Sequence, residues 1–307
     1  MKQISGGVTA AKGFCAASTA AGIKYKDRKD MALIFSKTPC KAAGTFTTNI
    51  VKAAPVKWDQ KIVAESACAH AVVVNAGIAN ACTGQEGMDY CSQTADHAAE
   101  LLKIPADSVL VASTGVIGMQ LPMECIKDGV SAMVPELSDA NEAGHQASLA
   151  IMTTDTHEKE VAVEIELGGK TVTIGGMCKG SGMIHPNMAT MLVFITTDCA
   201  ISPAMLQKAL STDIANTFNM VSVDGDTSTN DMVTVLANGL AGNAEITEEG
   251  ADFTAFMQAL NTVTVYLCRC IAGDGEGATK LLECKVSGAE TLEIAKPVAK
   301  SVICSSL

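Results

Sequence analysis

The stretch at 176–198, Gly-Met-Cys-Lys-Gly-Ser-Gly-Met-Ile-His-Pro-Asn-Met-Ala-Thr-Met-Leu-Val-Phe-Ile-Thr-Thr-Asp, constrains this chain more than any other. Its first half carries Gly180, Gly182, Pro186 and Asn187, residues of tight or strained backbone. Its second half, 191–197, is an apolar, β-branched run that reads as a buried strand. Thr190 stands on the seam. A hydroxyl at the mouth of a buried strand, reached through a strained loop, is where a chain could cut itself. The cut would leave a threonine whose free α-amine serves as base for its own hydroxyl. On spacing alone the plainer reading stays open, since β-branched residues open many strands simply because they suit a pleated surface.

The rest of the chain bounds what such a strand can belong to. With 307 residues there is material for one large or two ordinary domains, enough to bury a core without covalent staples. Although 48% of residues are hydrophobic, the apolar runs break off before the roughly 18 residues of a membrane helix. The segment after Lys2 and Gln3 has no apolar core of a secretory signal, so a cytoplasmic location is expected. The 12 cysteines, scattered from Cys15 to Cys304 with mostly apolar neighbours at Cys68, Cys82 and Cys199, are expected as buried free thiols. There is no Cys-x-x-Cys pair, Cys268 and Cys270 fall in an expected helix, and His70, His97, His145, His157 and His185 lack ligand spacing. A zinc or redox site therefore has weak support. A net charge of −11, with no basic cluster longer than 24–29, argues against nucleic acid and anionic membrane as partners.

Along the chain the apolar periodicity predicts a mixture of strands and helices, hence an α/β protein. Residues 31–36 and 44–48 read as two strands with Lys37, Thr38 and Pro39 between them. A third strand, 68–75, is apolar throughout and expected to be buried on both faces. It runs into small residues at 75–84, where backbone could approach a ligand or simply turn into a helix. A helix at 87–103 and a strand at 108–112 follow, then a loop at 113–118 whose amides could receive an oxyanion or form a plain glycine turn. Pro122 opens one helix, and Ser138 is expected to cap another that reaches towards Met152. Residues 161–167 and 170–174 form a hairpin around Gly168 and Gly169 that delivers the chain into the opening stretch. Ser202 and Pro203 begin a helix, which a short strand ending at Val223 follows. The acidic loop at 224–231 lacks the full EF-hand pattern and has no Walker lysine, and it reads as the cap of a helix around 232–240. Helices are expected at 252–271 and within 291–307. Between them, Glu276 sits between Gly275 and Gly277 in a segment whose lysine spacing is wrong for a phosphate loop.

Six segments taken in order resemble one family. They are Asn-Ala-Gly-Ile-Ala-Asn-Ala-Cys-Thr-Gly at 75–84, Ser-Thr-Gly-Val-Ile-Gly at 113–118, Met-Thr-Thr-Asp-Thr at 152–156, Lys-Gly-Ser-Gly-Met-Ile-His-Pro-Asn-Met-Ala-Thr-Met-Leu at 179–192, Asp-Gly-Asp-Thr-Ser-Thr-Asn-Asp at 224–231 and Asp-Gly-Glu-Gly-Ala-Thr-Lys at 274–280. Together they resemble the ornithine acetyltransferases, the glutamate N-acetyltransferases of arginine biosynthesis. The resemblance runs the length of the chain, and Pro-Asn-Met-Ala-Thr-Met-Leu is its most specific part. It implies an α/β/β/α sandwich and self-cleavage between Ala189 and Thr190, giving an α piece (1–189) and a β piece (190–307). By the same resemblance Thr190 is the nucleophile, Thr114 and Gly115 form the oxyanion hole, and Thr153, Lys179, Thr190 and Glu276 bind substrate.

The implied reaction is ping-pong transfer of acetyl from N2-acetyl-L-ornithine to L-glutamate, with acetyl-CoA as a second donor in some members. No metal or cofactor is involved, and the implied assembly is α2β2. Lysine suits the α-carboxylate common to both amino acids, and Glu276 a side-chain ammonium. This sequence departs from the family pattern at Ala272 and Gly273, where an arginine commonly precedes the Asp-Gly-Glu-Gly motif. The resemblance also implies a continuation past Leu307, with an Asn-Trp-Gly-Arg segment, that would complete the site. Two other readings remain at this point: an amidase or aminopeptidase with the same kind of nucleophile and water as acceptor, or an inactive fragment that acts only in binding or assembly.

Overall fold

A computed structural model of the chain describes residues 1–185 and 191–305. The architecture follows from one strand that belongs to two sheets. Chain order begins with β1 (Lys2–Ile4), β2 (Phe14–Thr19), β3 (Met31–Phe46), α1 (Ala54–Glu65), β4 (Ala69–Ile78), α2 (Gly84–Leu102) and β5 (Val109–Val116). It continues with α3 (Met123–Met133), α4 (Asn141–Ala150), β6 (Lys159–Leu167), β7 (Lys170–Lys179), β8 (Leu192–Thr197), α5 (Pro203–Ile214), β9 (Met232–Ala237), α6 (Ala251–Gly273) and α7 (Leu292–Ile303). The first half of β3 pairs antiparallel with β2 and β4, and β4 pairs parallel with β5. The second half of β3 pairs with β9 in the other sheet, whose order continues through β8, β7 and β6 to β1. The two strands expected at 31–36 and 44–48 are thus one. Its register shifts between Phe35 and Cys40, so Pro39 falls where the ladder is already irregular and its missing N–H costs nothing.

Strand alternation then builds the layers. In β8, Leu192 and Phe194 point to one side and Val193 and Ile195 to the other; in β4, Val72 and Val74 oppose Ala71 and Val73. Leu192, Phe194, Val72, Val74 and Ile34 meet in an apolar layer between the sheets. Val193 and Ile195 pack under Leu206 and Leu210 of α5 and Phe256, Leu260 and Val263 of α6. Ala71, Val73 and Leu33 pack under Cys91 and Ala95 of α2 and Ile126 and Val130 of α3. Helix, sheet, sheet and helix are the expected α/β/β/α layers.

Ser202 caps α5 as expected, its Oγ accepting the Met205 N–H at 3.4 Å, with Pro203 in the first turn. Three local expectations change. Ser138 does not cap α4, whose N-cap is Ala140; its hydroxyl accepts the Ala140 N–H in the turn before the helix. The segment before Val223 is a single 3-10 turn at Phe218–Met220, not a strand. Residues 232–237, expected as a helix, are the wholly buried strand β9, because Met-Val-Thr-Val-Leu-Ala between two other strands gains both ladders and both apolar faces. All 12 cysteines are free thiols. Burial pushes Cys40 and Cys199 up to about 12, which makes them inert core residues, whereas Cys82 and Cys304 are exposed and Cys15, Cys68, Cys125, Cys270 and Cys284 only half-buried, against the expectation of buried thiols. Among the described residues no helix is long and apolar enough to cross a membrane.

One buried carboxyl makes stability depend on pH. Asp59 of α1 is 0% exposed; its Oδ1 accepts the Val111 N–H at 2.9 Å and its Oδ2 has no partner among the described residues. Burial pushes it well above the usual carboxylate range, and the Val111 N–H offsets only part of that. The folded state therefore holds a proton that the unfolded chain releases. Stability from this group is fully present below the unfolded pKa near 4 and is lost as pH rises towards the raised folded value, at about 1.4 kcal/mol per pH unit in that window. Asp59→Asn is expected to raise Tm at pH 8 relative to the parent and to change it less at pH 5. Equal shifts at both pH values would contradict this.

Candidate active site

β7 ends in Lys179, 3% exposed, and the antiparallel register sets it opposite Leu192, the first residue of β8. Residues 180–191 are therefore the connection between two neighbouring strands. Ala189 and Thr190, the expected cut and nucleophile, lie outside the described residues. Lys179 Nζ donates to Thr153 Oγ1 at 2.7 Å and to Thr114 Oγ1 at 3.3 Å. Thr114 comes from the end of β5 and Thr153 from the turn after α4, so three of the expected residues converge. The nearest carboxylate oxygen to this ammonium, Asp155 Oδ2, is 4.0 Å away. That carboxylate is already engaged: Oδ1 accepts from Lys159 Nζ and from the Gly180 N–H, both at 2.7 Å, and Oδ2 accepts the Thr153 N–H at 3.0 Å.

Burial pushes the Lys179 ammonium below the usual lysine range. Asp155 pulls the other way, Lys159 lowers it further, and Asp231 and Glu276 restore only part. Among the described residues this buried ammonium has two hydroxyls as close partners and a nearest counter-ion that is shared, so its charge is incompletely neutralised. A carboxylate arriving there would favour the charged lysine and gain charge-assisted hydrogen bonds.

Gly115 is required by geometry. Its φ is +131°, and a Cβ there would lie 2.3 Å from the backbone C and O of Gly77 and 2.7 Å from the Ile78 nitrogen. Gly77, at φ +107°, is its partner in the parallel register of β4 and β5. The two strand ends thus approach beside Thr114 as only glycines allow. Glu276 is exposed and its carboxylate lies over Gly182, where a Cβ would come within 2.4 Å of Oε1. Its own N–H donates to the Ser181 carbonyl at 3.0 Å, which ties it to the segment just after Lys179. The small-residue segment 75–84 is instead occupied by its own groups and by those of neighbouring elements. Asn75 donates to the Ile78 carbonyl, Asn80 to the Gly87 carbonyl, and Thr83 to Asn80.

Three aspartates carry roles that residue patterns alone did not assign. Asp155 is the shared counter-ion described above. Asp274, the C-cap of α6, accepts Lys159 Nζ at 2.6 Å and the Thr156 N–H at 3.0 Å. Asp231, 0% exposed at the mouth of β9, accepts the Met191 N–H at 2.8 Å through Oδ1, while its Oδ2 has no partner among the described residues. Burial pushes the Asp231 carboxyl well up, offset in part by the Met191 N–H and Lys179. It fixes the residue that follows Thr190. The available clue was a carboxylate set directly against an apolar run, 232–237, where nothing but a specific hydrogen bond justifies burying it.

A four-layer α/β sandwich thus gathers a buried lysine, two threonine hydroxyls and tightly apposed glycines at its strand ends. The ArgJ family matches residues 15–307, and the chain belongs to that family. The arginine biosynthesis bifunctional protein ArgJ of Symbiobacterium thermophilum is 53% identical over 309 residues, covering 100% of this chain and 76% of that protein. The protein of the same name from Listeria monocytogenes is 48% identical over 307 residues, also 76% of its length. Among solved structures, ArgJ of Bacillus halodurans has a TM-score of 0.58 at 43% identity, covering 62% of this chain and 97% of that one. Ornithine acetyltransferase of Mycobacterium tuberculosis, complexed with ornithine, has a TM-score of 0.56 at 41% identity, covering 62% and 98%. The PH0078 protein of Pyrococcus horikoshii, at 12% identity and a TM-score of 0.53, shares the fold over 90% of this chain. The chain is accordingly an acetyl-transferring enzyme of arginine biosynthesis.

Proposed function

We propose that this chain cuts itself between Ala189 and Thr190 and then carries acetyl from N2-acetyl-L-ornithine to L-glutamate on the Thr190 hydroxyl, with acetyl-CoA as a second acetyl donor. In processing, the hydroxyl adds to the Ala189 carbonyl, the peptide nitrogen leaves as the new amine, and water cleaves the resulting ester to a carboxylate and the free hydroxyl. In turnover the amine takes the hydroxyl proton as oxygen attacks the acetyl carbonyl, and the proton passes to the departing ornithine nitrogen. The glutamate amine then attacks the ester and regenerates Thr190. Thr114 and Gly115 stabilise the oxyanion in each tetrahedral species. Each such donor contributes about 3–4 kcal/mol to lowering the barrier. Lys179 and Thr153 receive the α-carboxylate common to both amino acids, and Glu276 faces the ornithine side-chain ammonium.

The observation that carries this reading is the Lys179 cluster: a buried, incompletely neutralised ammonium held by Thr114 and Thr153 at the end of β7, where the connection that contains Thr190 begins. A second observation supports the cut. The solved relatives' chains, nearly all of whose length is matched, correspond to 62% of this chain, the share that a break after Ala189 would release as the α piece. In this reading the working assembly is α2β2, and the compartment is the cytoplasm, where small-metabolite biosynthesis takes place.

Glutamate dependence tests the function. Acetylornithine consumption is expected to require glutamate and to yield one N-acetylglutamate per ornithine. Equal consumption with and without glutamate would favour the amidase reading, in which water accepts the acetyl group.

A further inference from the structure

We propose that Lys159 is the positioning residue of the substrate site, one buried ammonium that sets both the Lys179 anion seat and the Glu276 loop. Its side chain is 0% exposed, and Nζ donates to Asp155 Oδ1 at 2.7 Å, to Asp274 Oδ2 at 2.6 Å and to the His157 carbonyl at 3.3 Å. An ammonium has three protons, and all three are used. Each carboxylate passes the constraint to one half of the site. Asp155 holds the Thr153 and Gly180 amides on either side of Lys179. Asp274 holds the Thr156 amide, its carbonyl accepts Ser181 Oγ at 2.6 Å, and the Ser181 carbonyl accepts the Glu276 N–H. Lys159 belongs to the segment before the Ala189 to Thr190 junction and Asp274 to the segment after it. The ion triad therefore holds the two proposed pieces in register at the site itself.

Charge explains why a lysine stands there. Asp155 and Asp274 carry two negative charges, and Lys159 and Lys179 two positive ones. Burial would raise both carboxyls, yet the lysines beside Asp155, and Lys159 with Thr156 beside Asp274, hold both below the usual carboxylate range. With Lys159 present, Asp155 is divided between two cations and leaves the Lys179 ammonium only partly neutralised towards an incoming carboxylate. Without it, Asp155 becomes the undivided counter-ion of Lys179, and the anion seat is closed from inside.

The inference rests on the proposed assignment of Lys179 to the shared α-carboxylate and of Glu276 to the ornithine ammonium. Steady-state kinetics of two variants test it. Lys159→Met is expected to raise KM for both acetylornithine and glutamate by tenfold or more, with a smaller change in kcat. Asp274→Asn leaves the Asp155 side in place and loosens only the Glu276 loop. It is expected to raise KM for acetylornithine severalfold and that for glutamate by less than twofold. A triad with a merely structural role lowers the amount of active protein, and so apparent kcat, with KM unchanged in both variants; that result overturns the inference. If Lys159→Met does not fold, Asp274→Asn decides alone, and equal changes in its two KM values overturn the inference as well. Absence of glutamate-dependent transfer in the parent protein would instead remove the functional reading beneath it.

Discussion

Gly115→Ala is expected to reduce kcat/KM for acetyl transfer at least a hundredfold and to lower Tm by several degrees. The cause is backbone against backbone. At φ +131° an L-residue is strained by about 1–3 kcal/mol before any contact is counted. The added methyl would then sit 2.3 Å from the Gly77 C and O atoms, which belong to the neighbouring parallel strand and cannot swing aside as a side chain would. Relief requires the ends of β4 and β5 to part. Thr114 is the residue before, and its hydroxyl lies 3.3 Å from Lys179 Nζ. Parting the strands moves the Thr114 hydroxyl, the proposed oxyanion donors and the anion seat together. Losing one donor alone costs roughly a hundredfold to a thousandfold. Circular dichroism and thermal melts separate local damage from unfolding, and a folded variant within threefold of the parent rate would contradict the account.

Much of this was legible in the sequence, for physical reasons that differ from place to place. Periodicity identified α2, α6, β4 and the hairpin of β6 and β7, because each buries a face whose period is its own. It failed at β9, where five apolar residues and Thr234 between acidic and glycine-rich neighbours are compatible with either period until flanking strands are known. It also failed at β3, where a proline inside a strand reads as a break unless the strand is known to change sheets there. Thr114, Gly115, Thr153, Lys179 and Glu276 came from six motifs in family order, and the fold brings Thr114, Thr153 and Lys179 into hydrogen-bonding contact. The motifs could not say which charges pair. The bond from Lys159 to Asp274 joins residues 115 apart, and that from the Met191 amide to Asp231 joins residues 40 apart. The packing of α6 on β6 decides the first contact, and the closing of β8 between β7 and β9 the second. The aspartates themselves stood in the motifs all along, but a carboxylate in a loop looks the same whether it caps a turn or neutralises a buried lysine.

Thr190→Ala carries the other large effect. Processing and transfer are assigned to one hydroxyl, so the variant is expected to lose both, with kcat below detection while its melting curve stays close to that of the parent. The intact mass of purified protein, parent beside Thr190→Ala, is the most direct test. The account predicts two pieces from the parent, beginning at Met1 and Thr190, whose masses sum to that of the uncut 31.6 kDa chain plus one water, and a single uncut species from Thr190→Ala. A parent protein that transfers acetyl as one uncut chain, or a variant that is cut at the same bond, would contradict it.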